Sequence, residues 1–196
     1  IDFFYDTVTI YQQQLQGIVA EARKKYPTPT QFAEWRRGFY MPLPVLDEAI
    51  YQQAKDFGGT AIFCLTRYSA EGDNYGDRTG GKGDFYLWDE EQALLDRLYA
   101  DFSQVIVIIN SCGPVSTREY ENANALLYPL YGGGLAGEAL TDILLGKAYP
   151  SGHLQHTLAY DLSDYPSTQG FHDQENYVNY TEDIFVGYRY FETFAK

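Results

Sequence analysis

Apolar and polar positions alternate along this chain in two different periods. Thr9–Lys25 carries Leu15, Ile18, Val19 and Ala22 at helical spacing, and Pro27 and Pro29 stop it. Pro44–Phe57 repeats the pattern with Leu46, Ala49, Ile50 and Ala54, and Gly58-Gly59 ends it. The unbroken apolar run Thr60–Thr66 follows, read as a buried strand. Asp89–Phe102 is a third helix, with Asp89 as N-cap, Gln92 at the capping-box position and a stripe of Leu94, Leu95 and Leu98. Val105–Asn110 is a β-branched run of the kind expected for a central parallel strand covered on both faces. Asn124–Tyr131 holds a further short strand, and Leu135–Leu145 a further helix. Ile1–Tyr5 has the composition of a strand stump.

Helices that feed strands through glycine turns are the grammar of α/β proteins. The expected fold class is α/β: a three-layer α/β/α sandwich with a mostly parallel sheet of about five or six strands. At 196 residues the chain fits a single domain, 1–196.

Composition narrows the partners. The chain has 27 acidic and 14 basic residues, a net charge of −13, which argues against nucleic acid or an anionic membrane. No window approaches the ~18 apolar residues of a membrane span and no signal peptide is visible, so the expected location is cytoplasmic. The 19 Tyr and 12 Phe can stack on the C–H faces of sugars, although such residues more often fill cores and interfaces. Cys64 and Cys112 read as small core residues, with no disulfide or metal spacing. His153 and His156 are three apart, but the Pro-Ser-Gly beside them indicates a turn, so no metal and no cofactor is expected. Gly132-Gly133-Gly134 lacks the Lys and Ser/Thr of a P-loop and reads as a close strand–helix or sugar approach. Arg36-Arg37 reads as a solvated pair.

The chemistry concentrates after Thr60–Thr66. The run stops at Arg67 and opens into a polar, glycine-rich stretch, where open α/β sheets place ligands. Glu71 lies there between small residues, in Ser69-Ala70-Glu71-Gly72. A carboxyl group in a cleft that raises its pKa can act as a general acid.

This stretch resembles the glycoside hydrolase family 3 pattern R-x-S-G-E-G-x-D-R followed by K-G-D-F-Y-L. It shows Arg67, Ser69, Glu71, Gly72, Asp77, Arg78 and then Lys82-Gly83-Asp84-Phe85-Tyr86-Leu87. Ala70 stands in place of a Gly, and Asp73, Asn74 and Tyr75 are additional. Two further segments resemble the same family in order: Gly146–Leu154 with its Pro-Ser-Gly-His-Leu, and Asp183–Phe191 with its Ile-Phe-Val-Gly-Tyr-Arg-Tyr-Phe.

The resemblance implies the family's second, α/β sandwich domain, and for Glu71 the role of catalytic acid/base. It leaves Arg67, Ser69, Asp73, Asp77 and Arg78 as substrate-binding or loop-bracing residues, with Asp73 the local substitute if Glu71 points away. The nucleophilic Asp would come from a (β/α)8 barrel, and nothing in the chain resembles that barrel or its S-D-W-type segment. The implied function is the acid/base-bearing part of a retaining β-glycosidase hydrolysing terminal β-D-glucosides or related oligosaccharides. The alternative is a stand-alone, non-catalytic sugar-binding or interaction domain.

Overall fold

The computed structural model describes residues 6–32, 47–67, 81–170 and 176–194. Helix α1 spans Asp6–Lys25, α2 Glu48–Phe57, α3 Asp89–Asp101, α4 Ala136–Leu144 and α5 Tyr188–Phe194. Strands β1 (Thr60–Thr66), β2 (Gln104–Asn110) and β3 (Ala125–Leu127) form one sheet in the order β1-β2-β3. Both pairings are parallel, with Phe63 opposite Val107 and Val107 opposite Leu126. The chain is thus α/β with a parallel sheet. Three strands stand among the described residues against the five or six expected; Ile1–Tyr5 lies outside them.

The strands sort their side chains by period two. Ala61, Phe63 and Leu65 of β1 are buried while Thr60, Ile62, Cys64 and Thr66 are exposed. The parallel register brings the buried set beside Val105, Val107 and Ile109. Tyr51 of α2 and Leu95 and Leu98 of α3 complete this core, together with Leu87, Val115 and Tyr120. The Arg97 guanidinium lies 3.5 Å from the centre of the Tyr51 ring, and the Tyr51 hydroxyl donates to Asp101 at 3.0 Å, so α2 and α3 are stitched along one side. On the opposite face, Tyr11 of α1 lies within electrostatic reach of Cys64.

β2 is the central strand, as its unbroken apolar run requires: Val105, Val107, Ile108 and Ile109 are all buried, and they come from both faces. At its start Asn124 acts as a clamp. Its side-chain oxygen accepts the Val105 N–H at 2.8 Å, and its own N–H donates to the Val105 carbonyl at 2.9 Å.

Several expectations are corrected. The N-cap of α3 is Trp88, one residue before Asp89, and the residue reaching back to it is Glu91 rather than Gln92. The third strand shrinks to Ala125–Leu127, because Pro129 has no N–H for a ladder and Leu130 takes a left-handed φ of 56°. Cys64 and Cys112 are free and exposed rather than core residues; Cys64 falls on the face of β1 turned away from the core. Arg36-Arg37 lies outside the described residues. No helix among the described residues is long and apolar enough to cross a membrane.

Candidate functional site at the carboxyl edge of the sheet

In a parallel sheet all the strands deliver their carboxyl ends to one edge, and that edge is where such folds build sites. Here it gathers Arg67 after β1, Ser111–Ser116 after β2 and Tyr128–Gly134 after β3. The Arg67 N–H donates to the Asn110 carbonyl at 3.1 Å, extending the β1–β2 ladder by one residue.

The Arg67 side chain is 3% exposed and so is Glu91, which faces it from the first turn of α3. The guanidinium makes a fork: Nη1 donates to Glu91 Oε1 at 2.8 Å and Nη2 to Glu91 Oε2 at 2.6 Å. Two parallel charge-assisted bonds of this kind fix angle as well as distance. The remaining guanidinium hydrogens point at backbone. Nε donates to the Asp84 carbonyl at 3.2 Å, Nη1 also to the Thr66 carbonyl at 3.2 Å, and Nη2 to the Tyr86 carbonyl at 3.4 Å. Glu91 Oε2 also accepts the Trp88 N–H at 2.9 Å, satisfying a donor at the start of α3. One ion pair therefore joins the end of β1, the segment that returns at 81–87, and the helix that follows.

The returning segment explains its own sequence. Gly83 has φ +83°, and a Cβ there would sit 1.9 Å from Cε2 of Trp88, so the indole rests directly on bare backbone. Phe85 and Leu87 are buried, and Ser116 N–H donates to the Phe85 carbonyl at 2.8 Å. The Tyr86 hydroxyl accepts the Leu162 N–H at 3.1 Å and bonds the Asp161 carboxylate. Burial pushes its pKa up, while hydrogen bonds from Ser163 chiefly, and then from Tyr86, hold Asp161 below its usual range. Lys82 pairs with Asp89 at the surface.

The other connections are tied to the same rim. Tyr131 donates to the Arg67 carbonyl at 3.0 Å and Tyr128 to the Gly113 carbonyl at 2.6 Å. Buried Ser116 has its hydroxyl between Glu119 Oε2, at 2.7 Å, and the Tyr160 carbonyl, at 2.9 Å. A Cβ on Gly132 would meet the Ala136 Cβ at 2.7 Å, so this glycine serves close approach to the start of α4. Among the described residues no group of three or more His, Cys, Asp or Glu could hold a metal; His153 and His156 are exposed.

Of the residues singled out in the sequence, Arg67 is thus placed in full. Glu71, Ser69, Asp73, Asp77 and Arg78 lie outside the described residues, in the stretch that leaves Arg67 and re-enters at Gly81. Sequence reasoning missed Glu91, Trp88 and Tyr131. The signal for Glu91 was present: an arginine closing an apolar strand needs a buried anion, and the acidic run 89–91 opens the next helix.

Residues 4–188 match the glycosyl hydrolase family 3 C-terminal domain. The chain belongs to that family. Beta-glucosidase A of Butyrivibrio fibrisolvens is 40% identical over 172 residues, covering 76% of this chain and 21% of that protein. A beta-glucosidase of Ruminococcus albus is 35% identical over 153 residues, covering 77% and 16%. The family 3 chain thus spans about a fifth or less of the length of these relatives. Among solved structures, a beta-glucosidase from Paenibacillus barengoltzii superposes with a TM-score of 0.72 at 30% identity, over 84% of this chain and 20% of that one. The beta-glucosidase of Kluyveromyces marxianus in complex with glucose gives 0.61 at 28%, over 76% and 18%. The three sequence segments that suggested family 3 fall within or at the edge of the matched residues.

Proposed function

We propose that this chain is the acid/base-bearing domain of a retaining β-glycosidase that removes terminal β-D-glucosyl units, and that Glu71 is its proton donor. The observation that supports the reading is the buried Arg67–Glu91 pair at the sheet edge where α/β folds bind ligands, which holds the chain at Arg67, four residues before Glu71 in sequence. Family membership and the beta-glucosidase relatives support it.

Retention needs two carboxyl groups about 5–5.5 Å apart. Glu71 supplies one; an Asp on a (β/α)8 barrel outside this sequence supplies the other. Glu71 protonates the departing glycosidic oxygen as the Asp attacks the anomeric carbon. The ionised Glu71 then takes a proton from the water that hydrolyses the glycosyl–enzyme. Ser69, Asp73, Asp77 and Arg78 brace the loop or contact the sugar, and Asp73 is the substitute proton donor. Neither step calls for a cofactor.

The test is Glu71→Gln in the complete enzyme. The kcat/KM for glucosides with poor leaving groups should fall far more than that for dinitrophenyl glucosides, whose leaving group needs no proton. Equal losses on both would remove the acid role from Glu71. An intact natural mass near 22.3 kDa would favour the stand-alone binding domain instead.

A further inference from the structure

We propose that Glu91 is a positioning residue for the acid/base step: through Arg67 it sets where the two ends of the Glu71-bearing stretch are held. The inference rests on the proposed role of Glu71 and adds to it a residue twenty positions away that touches no substrate. Glu91 and Arg67 are buried to the same degree, and each carboxylate oxygen takes one guanidinium nitrogen. The same guanidinium reaches Thr66 on the outgoing side and Asp84 and Tyr86 on the returning side. Tyr131 holds the carbonyl of Arg67 itself.

A buried ion pair is a poor choice for stability alone, since apolar side chains of similar volume commonly serve a core as well or better. What the fork adds is geometry. It dictates the distance and the plane in which the two chain ends sit, and it couples them to the rigid start of α3 through the Trp88 N–H. Proton transfer is sensitive to that: a displacement of about 1 Å at a catalytic group can cost on the order of a hundredfold in rate. Glu91 thus acts on the reaction by confining the departure and return of the stretch, without entering the cleft.

The experiment uses the complete enzyme and three variants: Glu71→Gln, Glu91→Gln, and the double replacement Arg67→Met with Glu91→Leu. The double variant removes both members of the pair together, so neither is left inside without the other. Each is assayed for kcat and KM on phenyl β-glucoside and on 2,4-dinitrophenyl β-glucoside, with thermal unfolding alongside. Positioning predicts that Glu91→Gln and the double variant lose about ten- to a hundredfold more kcat/KM, which reports the leaving-group step, on the phenyl than on the dinitrophenyl substrate, while the double variant keeps its melting temperature. A purely structural pair would scale both substrates down together through the folded fraction. Equal losses on the two substrates, no loss, or failure of the double variant to fold each overturns the proposal. If Glu71→Gln shows no dependence on the leaving group, the acid role itself fails and takes this inference with it; leaving-group dependence in Glu71→Gln alone defeats only the role of Glu91.

Discussion

Gly83 offers a sharp test of how the returning segment is built. An added Cβ would lie 1.9, 2.1 and 2.3 Å from Cε2, Cζ2 and Nε1 of Trp88, far inside contact distance, on a backbone with φ +83°. The left-handed backbone alone costs an L-residue about 1–2 kcal/mol. Forcing a methyl into a filled space costs about 1–3 kcal/mol more. Alanine also leaves the unfolded chain less freedom, which offsets about 0.4–1 kcal/mol. Gly83→Ala should therefore destabilise by roughly 2–4 kcal/mol, lowering Tm by about 5–15 °C for a chain of this size. Urea melts give the free energy directly. The steric share is separable, because Trp88→Ala removes the obstruction and leaves the strained backbone. In a double-mutant cycle the two changes should couple by about 1–3 kcal/mol, the pair together costing less than the separate losses. A Gly83→Ala protein within about 0.5 kcal/mol of its parent, or a cycle with no coupling, would refute the account of the indole resting on bare backbone.

Other consequences are as direct. Burial chiefly, and then the hydrogen bond to Asp101, push the Tyr51 hydroxyl up to about 12 from 10.0. Its neutral form is favoured by the fold, so the stability it contributes is complete below pH 10 and drains away as the pH rises through 12. The stability difference between parent and Tyr51→Phe, followed by urea melts between pH 9 and 12, should change across that window; a flat difference contradicts the shift. Asn124→Ala strands the N–H of Val105, a residue 1% exposed, and should cost about 1–3 kcal/mol in chemical denaturation. Leu95 is fully enclosed in the core, so Leu95→Ala should cost about 2–5 kcal/mol, and a smaller loss would mean that α3 collapses into the cavity.

The parts of the fold that were legible were those governed by periodicity. β1 was read to the residue, because five apolar positions flanked by threonines, between a glycine turn and a charged stop, leave no other register. The body of α3 and the central place of β2 followed for the same reason. The reading failed where a tertiary bond competes with a local rule. Asp89 is the better N-cap by side chain, but Glu91 is drawn inward by Arg67 and satisfies the Trp88 N–H as it goes, so the cap moves back one residue. β3 stops early because Pro129 and the left-handed Leu130 turn the chain toward the rim, where Tyr131 meets Arg67. At the site, motif spacing pointed to the end of β1 and to Arg67, yet spacing alone could not distinguish an arginine that binds sugar from one sealed inside the protein. That distinction depends on Glu91, 24 residues on, whose signal in the sequence is the acidic run 89–91 at the start of the next helix.

A clasp that joins both ends of a connection also sets the span that the connection must cross. The Arg67–Glu91 fork and the bond from Arg67 to the Asp84 carbonyl join the two ends without using the intervening chain. Lengthening that chain leaves these bonds in place, and its closure entropy grows only with the logarithm of length. The three residues Asp73, Asn74 and Tyr75 cost about 0.2 kcal/mol on that scale. Connections of different length can thus be fitted to the one clasp at small entropic cost.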